Sequence, residues 1–204
     1  MLGFEPRLLE VLAEAQRRGF IGPGPLPPHV ARSHGFAEAV GDDAVTHVVD
    51  LGSGGGLPGL VLAGDWPTTR LRLLDANQRR CEFLGWAVGW LGLAERVVVD
   101  HRRAEEVGRD AERRGEADVV VARAFGRPAV TAECAAPLLR EGGLLVVGEP
   151  PEDGVGRWDV AGLKGLGLTL DEIQFPTFVR IRQAVACPER FPRRVGVPAK
   201  RPLF

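Results

Sequence analysis

Lysine is nearly missing from this chain: of its 26 basic residues only Lys164 and Lys200 are lysines. With the many alanines, glycines and valines, that bias points to a GC-rich coding sequence and not to a function. Cysteine is sparse as well. Cys81, Cys134 and Cys187 are scattered, with neither metal-site nor disulfide spacing, so a reducing cytoplasm is the expected setting. The four histidines, His29, His34, His47 and His101, show no metal spacing either. An excess of one charge is also lacking. The net charge is −1, so any basic surface for nucleic acid must be local. No apolar run approaches a membrane span. The N-terminal "MLGFEPRLLEVLAEAQRRG" carries acids and lacks a long apolar stretch, which argues against a signal peptide. What is present is 204 residues, 45% hydrophobic and 26% charged, enough for one globular domain with a full core.

Residues 7–19 space their apolar side chains as a helix does, and a glycine closes them. "FIGPGPLPP" reads as a breaker-rich linker, and "HVARSHGFAEAVG" as a second short helix. From there apolar runs, "THVVDL", "LRLLD", "RVVVD", "ADVVVA" and "GGLLVVG", alternate with helical candidates, "PGLVLAG", "NQRRCEFLGWAVGWLG", "RAEEVGRDAERRG" and "PAVTAECAAPLLREG". Continuous apolar strands alternating with helices predict a mostly parallel sheet covered on both faces. "LTLDEIQF" and "FVRIRQAVAC" then predict an antiparallel pair at the sheet's end. Trp86 and Trp90, one helical turn apart, are expected to pack in the core. The organisation expected is a helical extension over residues 1–44, a Rossmann-like domain over 45–187, and a basic, proline-rich tail over 188–204.

The least ordinary stretch is "DLGSGGGLPGLVLAGD", Asp50 to Asp65. In a doubly wound sheet, ligands bind outside the carboxyl ends of the strands where strand order reverses. A glycine-rich loop there lets a large polar ligand approach main-chain N–H groups. Two ligands compete. Gly54, Gly56 and Gly59 match the dinucleotide fingerprint G-x-G-x-x-G, with Asp75 about 20 residues on. Gly52, Gly54 and Gly56 behind Asp50 match D-x-G-x-G-x-G, an S-adenosylmethionine loop. Three features favour the second. Asp50 sits two residues before the first glycine, within reach of a cationic amino group. Asp75 ends the second strand, where its carboxylate can take both ribose hydroxyls. The antiparallel close leaves no second mononucleotide half.

The pieces "DLGSGGGLPGLVLA", "LLDANQRRCEFL", "RRAEEV", "ADVVVARAFGRPAV" and "FPRRVGVPAKRPL" resemble the RsmG (GidB) family, whose members methylate N7 of a guanine in small-subunit ribosomal RNA. The resemblance implies a Rossmann-like class I S-adenosylmethionine-dependent methyltransferase with an α/β fold, a mostly parallel sheet, an antiparallel last strand and a short N-terminal helical extension. It assigns Gly52, Gly54 and Gly56 to the methionine part of the cofactor, Asp75 to the ribose, Ala104 and Glu105 to the adenine edge, and Arg123 to the active-site mouth as the candidate catalytic residue. Asp50, Ser53, Leu57, Ala76 and Arg123 complete the expected cofactor contacts. The partner implied is ribosomal RNA or the small ribosomal subunit, with no membrane and no metal. One departure stands out: where the family has a Lys-Gly pair after strand five, this chain has "GEPP", Gly148 to Pro151. It motivates a second reading, the same fold with a changed substrate. A third is a non-catalytic S-adenosylmethionine-binding or RNA-binding protein.

Guanine N7 carries a free in-plane lone pair at neutral pH. Its methylation needs alignment and no general base, and "ARAFG" after strand four offers neither the Asn-Pro-Pro-Tyr of amino-group methyltransferases nor a Pro-Cys nucleophile. Arg123 can donate to guanine O6 or to a phosphate; the alternative is a salt bridge to Glu105 or Asp118. Phe125 can stack on a flipped base or belong to the core. Cys187 reads as structural. In the tail, Arg193, Arg194 and Lys200 are the candidate RNA contacts. The alternative makes the tail a structural clasp on carboxylates such as Asp171 or Glu172.

Overall fold

The computed structural model describes residues 4–41, 45–149, 155–171 and 177–204. Two helices open the chain, α1 (Phe4–Arg17) and α2 (Leu26–Val40). Strands and helices then alternate through β1 (His47–Leu51), α3 (Gly59–Asp65), β2 (Arg70–Asp75), α4 (Gln78–Trp90), β3 (Val97–His101), α5 (Ala104–Val107), β4 (Ala117–Arg123), α6 (Pro128–Ala135) and β5 (Leu139–Gly148). There follow α7 (Val160–Gly165), β6 (Leu168–Leu170), β7 (Phe178–Gln183) and the short α8 (Val197–Lys200).

The strands form one sheet in the order β3-β2-β1-β4-β5-β7-β6. β1 to β5 pair in parallel, and β7 runs antiparallel to both of its neighbours. Consecutive valines alternate between two cores because strand side chains alternate faces. Val48, Val119, Val121 and Val146 pack with Leu12, Phe36, Leu60 and Phe83 from the first four helices. Val49, Val120 and Val147 pack with Val107, Ala132 and Leu163 from the next three. This is why the strands read as unbroken apolar runs. It also makes α1 and α2 part of the first core: Phe36 is fully buried and meets Phe178 of β7 edge to face, 4.8 Å between centroids.

Four local expectations change. Leu26, Pro27 and Pro28 belong to α2 and not to a linker. Proline has no N–H to offer, but the first helical turn needs none. The helix expected from Pro128 onward stops at Ala135; Pro137 lies in a 3₁₀ turn, and β5 begins at Leu139. Beyond Val107 the expected helix gives way to turns. Trp86 and Trp90 are not core residues: they stack on each other at 6.1 Å and are 44% and 50% exposed. The buried face of α4 is already filled by Cys81, Phe83, Leu84, Ala87 and Val88. The expected antiparallel pair is present as β6 and β7, although residues 172–175 of that reading lie outside the described residues.

Candidate active site

Order reverses between β1 and β4, which lie side by side and lead outward to opposite halves of the sheet. A crevice at their carboxyl ends is the consequence. Asp50 and Leu51 end β1 there, and Arg123 ends β4.

The glycine loop turns back on Asp50. Gly59 donates its N–H to Asp50 Oδ2 at 3.0 Å, and Ser53 Oγ donates to the Asp50 carbonyl at 2.9 Å. A Cβ on Gly59 would stand 2.5 Å from Asp50 Oδ2, so only glycine allows this approach. Asp50 is fully buried, and its Oδ1 finds no hydrogen-bond partner among the described residues. Burial pushes the carboxyl up to about 7, against the pull of the Gly59 N–H. A buried carboxylate oxygen left without a donor is uncommon and costly. It suits a cationic group brought by a ligand.

Asp75, at the end of β2, is held from both sides. Gly54, at φ +56, donates its N–H to Oδ2 at 2.9 Å, and Asn77 donates to Oδ1 at 2.8 Å. Arg80 Nη1 stands 3.6 Å from Oδ2. Asn77 also caps α4 by accepting from the Arg80 N–H. An ionised carboxylate has about four acceptor sites, so lone pairs remain for hydroxyl donors.

Asp75 opens onto a cavity of about 270 Å³ lined with Gly52, Ala76, Ala104 and Glu105. A Cβ on Gly52 would meet Phe125 at 2.6 Å, so the loop and Phe125 touch across it. Thus Gly52, Asp75, Ala76, Ala104 and Glu105 are brought together. Asp50, Ser53, Gly54, Gly56 and Leu57 do not line this cavity; Asp50, Ser53 and Gly54 hold the loop, and Leu57 packs into the first core.

A second cavity, of about 560 Å³, lies beyond Ala124 and Phe125, which line both. Ala124 has φ +54, an uncommon conformation for a residue with a side chain. Arg123, Arg32, Arg157 and Glu149 line the outer cavity. Arg123 pairs with neither Glu105 nor Asp118. Asp118 lies at the other end of β4 and holds Arg140, and Glu105 accepts from the Gly196 N–H. Instead Arg123 Nη2 donates to Nδ1 of His29 at 2.7 Å, while its buried Nη1 has no partner among the described residues. Burial lowers the pKa of the His29 imidazole, and the neighbouring guanidinium lowers it further, which favours the neutral acceptor. Arg32 Nη2 donates to the Glu149 carbonyl at 2.6 Å. The Glu149 carboxylate accepts from Arg157 and from Trp158 Nε1. His29 and Arg32, both from α2, are site residues that the sequence reading missed. Their i, i+3 spacing shows one shared helix face, but nothing local says which cleft that face meets. Pro150 and Pro151 of "GEPP" lie outside the described residues.

The tail folds back on the domain. Arg193 donates from Nε to Oε1 and from Nη2 to Oε2 of Glu133, a fully buried carboxylate on α6, at 2.8 and 2.6 Å. Asp171 meets Arg180 and Arg182, and Glu172 lies outside the described residues. Arg194 and Lys200 are exposed. Among the described residues no helix is long and apolar enough to cross a membrane.

The family model described as "GidB: rRNA small subunit methyltransferase G" matches residues 26–153, from α2 to just past β5. Two proteins named ribosomal RNA small subunit methyltransferase G are relatives of the chain. The one from Pelotomaculum thermopropionicum is 38% identical over 170 residues, covering 78% of this chain and 70% of that protein. The one from Chloroflexus aggregans is 37% identical over 169 residues, covering 78% and 71%. Among solved structures, an S-adenosylmethionine-dependent O-methyltransferase from Thermotoga maritima superposes with a TM-score of 0.62 at 16% identity, over 88% of this chain and 73% of that one. A cofactor-bound protein from MTB superposes with a TM-score of 0.61 at 21% identity, over 88% and 90%. These two likenesses support the class I methyltransferase fold alone. The match to the family model, over the segments that form the glycine loop and the wall at Ala124 and Phe125 shared by the two cavities, and the identity to its members show that the chain belongs to the rRNA small subunit methyltransferase G family.

Proposed function

We propose that the chain transfers a methyl group from S-adenosylmethionine to N7 of a guanine in 16S ribosomal RNA, in the cytoplasm. The observation that carries the reading is the pair of cavities meeting at Ala124 and Phe125, with no free base at the junction among the described residues. Asp50 and the glycine loop would hold the methionine part, Asp75 the ribose hydroxyls, and Ala104 and Glu105 the adenine. When bound, S-adenosylmethionine supplies an electrophilic methyl group on a sulfonium.

The chain's own residues then have positioning work. Guanine N7 is unprotonated at neutral pH, so no proton has to leave before attack. His29 is engaged by Arg123, and the Glu149 carboxylate by Arg157 and Trp158, so neither is poised as a base. Phe125 offers a face for the base to stack on. Arg123 has a partnerless Nη1 among the described residues, and it can donate to guanine O6 or to a phosphate. Holding the reacting atoms in line can supply several kcal/mol of rate acceleration. Arg194 and Lys200 are the tail's candidates for phosphate contact. Arg193 is engaged with Glu133, and its part in binding RNA would be to hold the tail.

Mass mapping of 16S RNA from a deletion strain and its parent, with single-turnover methylation of naked RNA and small subunits, tests the proposal. The expected results are one guanine methyl group missing in the deletion strain and a chemical step nearly flat between about pH 6.5 and 8.5. A steep rise with one ionisation would point to an exocyclic amine or a hydroxyl as the acceptor.

A further inference from the structure

The basic, proline-rich tail is expected either to reach outward for RNA without touching the glycine loop or to clasp carboxylates such as Asp171 or Glu172. In the structure it folds back beside the 270 Å³ cavity onto which Asp75 opens. Arg114 collects it first, donating to the carbonyls of Cys187, Pro188 and Phe191 at 2.5, 3.0 and 2.7 Å. Pro192 then packs over Gly108, immediately after α5. Arg193 closes on the buried Glu133, whose Oε1 also accepts the Arg193 main-chain N–H at 2.8 Å. Gly196, at φ +78, turns its own N–H onto Glu105 Oε1 at 2.9 Å. Three residues later, Ala199 lines the 270 Å³ cavity across from Ala76, Ala104 and Glu105.

We infer that residues 193–199 are the outer wall of the cofactor cavity, and that Glu133 is the positioning residue that seats this wall. The inference rests on S-adenosylmethionine being the ligand of that cavity. Glu105, the expected adenine contact, is itself oriented by the tail: one carboxylate oxygen is committed to Gly196. Glu133 is buried on α6 and lines neither of the two cavities, yet it fixes the start of the segment that bears both Gly196 and Ala199. A carboxylate so deeply buried is held by charge-assisted bonds and is otherwise unfavourable, so loss of Arg193 would leave Glu133 an uncompensated buried charge and unseat the wall. The same short segment carries Arg194 exposed, and the exposed Lys200 follows it directly. One strap therefore has an inner face toward the cofactor and an outer face toward solvent.

The test measures S-adenosylhomocysteine affinity by calorimetry, beside a thermal melt of each protein. Ala199→Trp adds bulk at an exposed position whose methyl side chain makes no hydrogen bond, so its melting temperature should match the parent. Its affinity should fall by about tenfold or more, because the added ring takes part of the ligand's volume. Arg193→Ala unclasps the strap and should reduce affinity about tenfold, because Gly196 no longer orients Glu105 and Ala199 no longer closes the cavity. If Arg193→Ala does not fold, Ala199→Trp decides. A parent that binds S-adenosylhomocysteine and an Ala199→Trp protein that binds it equally well would overturn the inference and leave the cofactor assignment standing. A parent that takes up none would overturn that assignment, and the inference with it.

Discussion

At the ends of β1 and β2, carboxylates are held by main-chain N–H groups close in sequence: Asp50 by Gly59, and Asp75 by Gly54 and Asn77. At the ends of β4 and β5, beside the local bonds of the Glu149 carboxylate to Arg157 and Trp158, polar contacts run to side chains of α2, Arg123 to His29 at a separation of 94 residues and Arg32 to the Glu149 carbonyl at 117. The first half of the crevice is a property of one loop and one turn. The second exists only once α2 has docked on the sheet. A site of the first kind depends on backbone conformation, so it tolerates few residue types. A site of the second kind depends on packing, and its side chains can be exchanged while the fold persists.

The largest effect should come from the loop. Gly59→Ala places a Cβ against Leu73 and Asp50, and overpacking of this kind costs about 1–3 kcal/mol of stability. Cofactor binding should be abolished because the N–H that holds Asp50 moves. Denaturant unfolding and S-adenosylhomocysteine calorimetry check this, and a variant that binds normally would show that the loop is not the less tolerant half of the crevice. The next effect is on pH. In the proposed complex the ligand's ammonium group would favour ionised Asp50, whose carboxyl is raised to about 7 in the free protein. Affinity should therefore be flat above pH 7 and fall by about tenfold per unit below it, with a proton released on binding. Calorimetry in buffers of different ionisation enthalpy measures that proton directly, and none released at pH 6 would mean that Asp50 does not face the cation.

Changes in the other half should spare the cofactor. His29→Ala removes the acceptor for Arg123 and should slow single-turnover RNA methylation by roughly tenfold, the range of a hydrogen bond to a charged group, with S-adenosylhomocysteine affinity unchanged. A fall in both together would mean that the two cavities are one site. The smallest effect belongs to the strap's outer face. Arg194→Ala with Lys200→Ala should flatten the slope of log RNA affinity against log salt by about 0.7 to 0.9 for each phosphate these side chains neutralise. Filter binding at several salt concentrations reads it, and an unchanged slope would show that neither residue meets a phosphate.

The same contrast explains what could be read from the amino acids alone. The parallel strands, the glycine loop and Asp75 were legible because each is written within about 20 residues by spacing and turn chemistry. The family resemblance lay in those pieces together with "RRAEEV", "ADVVVARAFGRPAV" and the tail "FPRRVGVPAKRPL". His29 and Arg32 were not legible, since a helix's amphipathic face does not name its neighbour. Nor was the partner of Arg193: Glu133 sits in "PAVTAECA", the apolar helix α6, where one acid gives no sign that a distant arginine will reach it. Pro27 and Pro28 misled because two prolines read as a break, although the first turn of a helix accepts them.

Asp50 has a consequence for the protein without its ligand. In the unfolded chain its carboxyl ionises near the usual value of 3.8, whereas in the fold it does so near 7. Between those values the native state holds a proton that the unfolded chain has released. This group's contribution to stability is therefore full below 3.8 and is given up as pH rises through 7. Above 7 the free protein carries a buried anion with one oxygen unanswered among the described residues. A cation from the ligand would answer it, so the ligand should act as a folding partner whose stabilising effect grows as pH rises to about 7 and then levels off.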